Sequence, residues 1–177
     1  MKRLSVVAIA LTLFTVGCDE QLNPASPNAG QVTLVSQLSG ASNVPPAGSL
    51  EAGAAGQLSV TMVPTTGGAY TASFTFSLGG LVKAGVLPSP LDSGSVIVAG
   101  YVHQGAAGAV GPPVVALPIS LAAPIVTPTG SVLLTISNVA VTAGAASAIL
   151  ASPSSFYFNM YSALNQNGVV RGQLIKQ

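Results

Sequence analysis

The sequence contains very little charge. Lysine, arginine, aspartate and glutamate together make up 5% of its 177 residues, whereas a typical soluble domain has about a quarter. After the first twenty residues the basic side chains are Lys83, Arg171 and Lys176, which form no cluster in the sequence. Nucleic-acid binding is therefore excluded, because phosphate recognition requires clustered lysines and arginines. So little charge is typical of a tethered or partnered protein, or of a compact β domain covered with small side chains.

Side chains that carry out acid–base or nucleophilic chemistry are also scarce. The chain has one histidine, His103, and its only carboxylates after residue 20 are Glu51 and Asp92. A nucleophilic triad would have to use His103, and the GxSxG motif is absent. A glycosidase needs two facing carboxylates, but Glu51 and Asp92 are predicted to lie in different loops. The Gly-rich segment 105–113 lacks the Lys-Ser/Thr ending of a phosphate loop. We therefore predict that the protein is not an enzyme and uses no cofactor, with an unrecognised catalytic site as a less supported alternative.

The first residues have the layout of an export signal. Lys2 and Arg3 precede an apolar run at 4–16, which is too short to span a bilayer. The run leads to Cys18, the only cysteine in the chain, so an internal disulfide is excluded. Residues 18–30 are mostly polar, contain two prolines and have no periodicity, which predicts a flexible tether.

The segment Val16-Gly17-Cys18 resembles the lipobox of bacterial lipoproteins, although Thr15 stands where leucine is usual. In that family the signal peptide is cleaved before the cysteine, which is acylated. The resemblance implies that residues 1–17 are a lipoprotein signal peptide and that Cys18 carries the lipid. It places the exported protein in the cell envelope, anchored to a membrane and facing the periplasm or the surface. The alternative is a plain secretory signal with an incidental cysteine.

From residue 31 onward, short β-type segments alternate with turns. In 31–38, 56–63 and 69–78, apolar and polar side chains alternate with period two, which is the pattern of half-buried strands. Further strands are predicted at 95–103, 113–121, 131–136, 155–163 and 169–175.

Turn and helix signals complete the predicted fold. Asn167-Gly168 predicts a hairpin between the last two strands. The Ala-rich segment 142–153 predicts a short helix or helical turn. About eight strands without βαβ spacing predict an all-β domain over 31–177, an antiparallel Greek-key β-sandwich of the immunoglobulin-like kind.

Three segments occur in a recognisable order. They are SQLSGASNVPP at 36–46, YVHQGAAGAVGPPVVAL at 101–117 and SPSSFYFNMYSALNQNGVVRGQL at 152–174. Together they resemble the CHRD domain, the module of animal chordins and of many bacterial exported proteins, over residues 31–177. The resemblance implies a β-sandwich similar to the copper/zinc superoxide dismutase fold and no enzymatic activity. Bacterial members often have histidine where this chain has Tyr101 and Tyr161, and a glutamate before the VPP motif where this chain has Asn43.

Four polar or aromatic side chains form a candidate binding patch. Alternate residues of a strand share a face, so Tyr101 lies beside His103, and Asn159 beside Tyr161. If the two strands are close, as the resemblance implies, these four side chains and the loop 104–113 form the working surface. Three histidines would make a copper or zinc site, but a single imidazole among neutral phenols is a poor ligand set. We therefore interpret His103 as a structural histidine that is hydrogen-bonded to backbone or solvent.

These observations predict a non-enzymatic, lipid-anchored binding or structural module of the cell envelope. Its partners would be the membrane, through the lipid, and an unidentified envelope protein or ligand. The alternative is a copper- or zinc-binding or redox-related envelope protein with a degenerate histidine site. Arg171 is interpreted as a side chain that folds over the sheet to bond backbone carbonyls, or else as a surface cation.

Overall fold

The computed structural model describes residues 30–48, 50–86 and 93–177. Cys18, Asp92 and the predicted signal peptide lie outside these ranges, as does the tether up to residue 29. Within them the chain forms ten strands and one α-helix. These are β1 (Val32–Ser39), β2 (Ala55–Pro64), β3 (Tyr70–Gly79), β4 (Ser95–Gln104), β5 (Pro113–Ala116), β6 (Ile125–Thr127), β7 (Val132–Val141), α1 (Ala143–Ala151), β8 (Phe156–Ser162), β9 (Val170–Gln173) and β10 (Ile175–Lys176).

The strands form one continuous antiparallel sheet. Eight of them follow the order β5-β4-β8-β9-β1-β2-β3-β7, while β6 pairs with β4 and β10 with β1. Strands β5 and β7, at the two ends of this order, contact each other, so the sheet curls into a nearly closed barrel. The predicted antiparallel all-β fold is confirmed. The Greek-key sandwich is not confirmed, because hydrogen-bonded pairs join all ten strands into one sheet.

The core fills the inside of the curled sheet. The alternation predicted for β2 and β3 is confirmed, since alternate residues are buried from Leu58 to Met62 in β2 and from Ala72 to Leu78 in β3. Phe74 of β3 meets Phe158 of β8 across the core, with ring centroids 6.2 Å apart. The buried side chains on these two strands are Leu58, Val60, Met62, Ala72, Phe74, Phe76 and Leu78.

The predicted helical segment at 142–153 is confirmed as α1. The Thr142 hydroxyl accepts a hydrogen bond from the Ala145 N–H at 3.3 Å and caps the first turn. The helix ends two residues before Pro153, as expected because proline disfavours helical backbone in the residue before it. No helix in the described ranges has the length and apolar character needed to cross a bilayer.

The connection between β8 and β9 contains the predicted Asn167-Gly168 turn. The Gly168 N–H donates to the Asn165 carbonyl at 3.1 Å, and Gly168 has a φ of +119°. The whole connection is seven residues long, 163–169, and is not a two-residue hairpin. A Cβ atom at Gly168 would overlap the side-chain oxygens of Asn43 and Asn159. This glycine therefore brings the connection down onto the side chains beside it.

Candidate functional site

The structure brings the four residues of the predicted patch together where β4 lies beside β8. Tyr101 is directly opposite Asn159 in the strand register. The ring of Tyr101 lies edge-on to both His103 and Tyr161, with centroid separations of 5.7 Å in each case. The patch is therefore one contiguous cluster.

His103 uses both ring nitrogens inside this cluster. Its Nδ1 lies 2.8 Å from the Gly111 carbonyl oxygen. Because a carbonyl only accepts, Nδ1 carries the proton and Nε2 accepts the Tyr161 hydroxyl at 3.0 Å. The predicted hydrogen bond of His103 to the backbone is confirmed, and the side chain is 7% exposed.

The surroundings of His103 favour the neutral form of the ring. Burial lowers its pKa, the hydrogen bond to the Gly111 carbonyl opposes this, and the nearby positive charge of Arg171 lowers the pKa further. Burial likewise raises the pKa of Tyr161, although a hydrogen bond from Asn159 lowers it. A neutral imidazole and a protonated phenol are the forms that the bond between His103 and Tyr161 requires.

Two members of the cluster were not identified as site residues from the sequence. The ring of Tyr157 stacks on His103 with centroids 4.9 Å apart and planes at 4°. On its other face lies the guanidinium of Arg171, whose Cζ is 3.5 Å from the ring centroid. Tyr157 alternates with Asn159 and Tyr161 on β8, so the period of the strand could have placed it on this face.

Arg171 also holds the loop that follows β4. Its Nη2 donates to the carbonyls of Ala106 and Ala109, at 3.0 and 2.6 Å. The side chain is 3% exposed. The interpretation that Arg171 bonds backbone carbonyls is confirmed, and the surface-cation alternative is wrong. Gln173, two residues along β9, donates to the Gly105 carbonyl at 3.0 Å, so β9 fixes the start of the loop as well.

A cleft of about 160 Å³ opens beside the cluster. It is lined by Val44, His103, Val110, Tyr157, Asn159, Tyr161, Gln166, Asn167 and Arg171. On the loop side of Arg171 lies a second hollow of about 340 Å³, which shares Val44 and Arg171 with the first. The hydrogen bonds and ring contacts described above fix Arg171 and the aromatic wall of the cleft, so this side of the cleft is preformed.

Glu51 occupies an unexpected position. It lies in a loop, as predicted, but it is fully buried. Its carboxylate accepts hydrogen bonds from the Ser95 hydroxyl, from the Ser162 hydroxyl at 2.5 Å and from the Asn165 amide at 2.6 Å. Glu51 thus ties its own loop to β4, to β8 and to the β8–β9 connection.

The described residues contain no group of three or more histidine, cysteine, aspartate or glutamate side chains that could hold a metal ion. The donor set around His103 is made of phenols, an amide and a guanidinium, which are poor metal ligands. The arrangement instead provides a rigid aromatic wall and a cleft with one positive charge.

Comparison with known protein families gives one match. The model of the CHRD domain matches residues 34–174, which is most of the chain. Neither the comparison with curated proteins nor that with solved structures gave a significant match.

Proposed function

The chain belongs to the CHRD domain family, and we propose that it acts as a non-enzymatic binding module held at the bacterial cell envelope by a lipid on Cys18. The family is one of non-catalytic binding domains. The family match covers the strands that build the cleft, so the cleft belongs to the shared domain. The envelope location and the lipid anchor rest on the lipobox resemblance of residues 16–18.

One observation supports binding over catalysis. The groups in the cleft that could transfer a proton are already used to hold the wall together: His103 through Gly111 and Tyr161, and Tyr157 through the N–H of Gly111 at 3.1 Å. Arg171 is held by two carbonyls and by the Tyr157 ring. Preformed walls of this kind favour ligand binding because little side-chain entropy is lost when a ligand docks.

The alternative of a copper- or zinc-binding protein has less support. A metal ion at Nε2 of His103 would have to displace the Tyr161 hydroxyl, which donates to that nitrogen. No second imidazole or carboxylate of the described residues lines the cleft. A calorimetric titration with Cu(II) and Zn(II), repeated on His103→Ala, tests this alternative directly.

The anchor is tested by fractionating cells that express the full chain or Cys18→Ser. We expect the unmodified chain to partition with membranes and into detergent, and to have the mass of a diacylated or triacylated Cys18 after cleavage. We expect Cys18→Ser to be released from the membrane fraction. Equal membrane retention of both chains would contradict lipid anchoring.

The cleft is tested with a side chain that blocks it. Val110 is 72% exposed and lines the mouth of the cleft, so Val110→Trp fills the opening with an uncharged side chain without disturbing the core. The matched control is Leu133→Trp, at a β7 residue that is 77% exposed and does not line the cleft. In anchored chains that carry a crosslinker, we expect Val110→Trp to lose envelope crosslinks that Leu133→Trp retains. Equal crosslinking by both variants would contradict a binding role for this cleft.

A further inference from the structure

Arg171 is a buried positive charge without a counter-ion among the described residues. Buried arginines are ordinarily paired with an acid, but the only carboxylate side chain in this part of the chain is Glu51. Glu51 is already engaged by Ser95, Ser162 and Asn165. The charge of Arg171 is therefore compensated only by carbonyl dipoles and by the Tyr157 ring.

The guanidinium also has unused donors. Both of its hydrogen bonds come from Nη2, so Nε and Nη1 have no hydrogen-bond partner in the described part of the chain. Arg171 lines both the cleft and the adjoining hollow. The neighbouring acceptor, Oδ1 of Asn159, is buried next to Gly168, and no described residue donates a hydrogen bond to it. The residues that line the cleft thus offer unpaired N–H donors, one positive charge and one unpaired acceptor.

We infer that this cleft binds a carboxylate monoanion that bears a small substituent, with the carboxylate on Arg171. The inference rests on the proposed binding function and names its ligand class. Because Nη2 already donates to two carbonyls, the carboxylate is held by a charge-assisted hydrogen bond from Nε or Nη1. Val44 and Val110 give the substituent apolar contacts, and the exposed amides of Gln166 and Asn167 lie at the opening. A volume of about 160 Å³ admits a peptide C-terminus or a small organic acid.

The charge count favours a carboxylate over a phosphate. A phosphate dianion is best held by more than one cation, whereas Arg171 is the only lysine or arginine that lines the cleft. Lys83 and Lys176 line neither the cleft nor the adjoining hollow. The single negative charge of a monoanion therefore neutralises the single positive charge of Arg171.

The test is a nuclear magnetic resonance titration of the full chain carrying Cys18→Ser. The chain has two arginines, Arg3 and Arg171, so an Arg3→Lys variant assigns the Arg171 Nε–H signal. The probes are acetate, N-acetylalanine, the uncharged primary amide of N-acetylalanine, and phosphate, each at ionic strength matched with sodium chloride. Since His103 is the only histidine, its ring signals can be assigned directly, and they report the pKa of His103 in the same sample.

We expect N-acetylalanine to move the Arg171 Nε–H signal saturably, with a Kd of about 1 mM or tighter. Its amide should bind at least about ten-fold more weakly, because it lacks the charge. Acetate binding as tightly as N-acetylalanine would identify the source as a free acid, whereas preference for N-acetylalanine identifies a peptide terminus. The bound carboxylate should also raise the pKa of His103, because it offsets the field of Arg171.

Equal shifts from the amide, stronger binding of phosphate, or no saturable shift would overturn the carboxylate assignment. Because the titration needs no substitution at Arg171, a folding defect cannot obscure it. If no carboxylate binds while Val110→Trp still loses its envelope crosslinks, the ligand class is wrong and the binding module stands. If the crosslinks are also unchanged, the proposed function fails as well.

Discussion

The buried carboxylate of Glu51 gives a sharp prediction about what holds this fold together. Its three donors come from β4, from β8 and from the β8–β9 connection. A hydrogen bond to a charged group contributes about 1.5–3 kcal/mol net, and a buried donor without an acceptor costs about 1–3 kcal/mol. Removal of the carboxylate also removes the cost of burying its charge, which offsets part of this loss. We therefore expect Glu51→Ala to lower the free energy of unfolding by about 3–5 kcal/mol.

That loss is large relative to the whole stability of a domain, which is about 5–15 kcal/mol. Glu51→Gln should cost less, about 2 kcal/mol, because it keeps the shape and one acceptor oxygen but places an NH₂ group against donors. The measurement is urea unfolding at neutral pH, followed by tyrosine fluorescence since the chain has no tryptophan. The control is Gln166→Ala, an exposed side chain in the same connection, which should change stability by about 0.5 kcal/mol or less.

A double-mutant cycle tests the reasoning further. If the network acts as described, Ser95→Ala should cost stability in the native background and much less in Glu51→Ala, because its partner is already gone. A loss below about 1 kcal/mol for Glu51→Ala, or additive losses in the cycle, would refute the claim that this carboxylate ties the strands together.

Other consequences follow from the same contacts. Because burial lowers the pKa of His103 below its ordinary value of 6.5, unfolding takes up a proton as pH falls below 6.5. The free energy of unfolding should therefore be unaffected by His103 above pH 6.5. Below pH 6.5 it should decline by no more than about 1.4 kcal/mol per pH unit. In His103→Gln, urea unfolding measured at several pH values should no longer show this decline in the free energy of unfolding. Gly168→Ala should destabilise by about 2–4 kcal/mol in the same assay, because φ is +119° and a Cβ overlaps two amide oxygens; an unchanged midpoint would contradict the packing described here. Arg171→Lys loses the stacked, forked donor, so the loop 105–111 should be cleaved faster by a nonspecific protease while Lys83→Ala leaves the rate unchanged.

The sequence predicted the strands well because their signal is local. Alternation in β2 and β3 depends only on which side chains face the core, so period two was sufficient. β6 has three residues, too few for a visible pattern. The pairing of β9 with both β8 and β1 depends on contacts between distant segments, and no local pattern encodes it.

The site was predicted in part for the same reason. Tyr101 and His103 share a face by strand period, and the family resemblance placed β8 beside them. Tyr157 was not among the predicted site residues, since an aromatic on a strand usually packs in the core. The carbonyl partners of Arg171 lie more than sixty residues earlier in the chain, and the donors to Glu51 lie 44, 111 and 114 residues after it. Such polar networks become visible only when the fold is known.

The histidines that the family resemblance implies at the positions of Tyr101 and Tyr161 yield a final prediction. In this chain the Tyr161 hydroxyl occupies Nε2 of His103, and the rings of Tyr101 and Tyr161 lie 5.7 and 6.2 Å from the imidazole. Tyr101→His together with Tyr161→His would free Nε2 and bring three imidazoles to one place, a ligand set suited to zinc or copper. We expect this double variant to bind Zn(II) with a Kd of about 1 μM or tighter by calorimetry, and the unmodified chain to bind more weakly. Adding His103→Gln to the double variant should abolish the binding. If the double variant takes up no metal although it is folded, the three side chains do not converge as described, and the tyrosines cannot be regarded as replacements for ligands at one site.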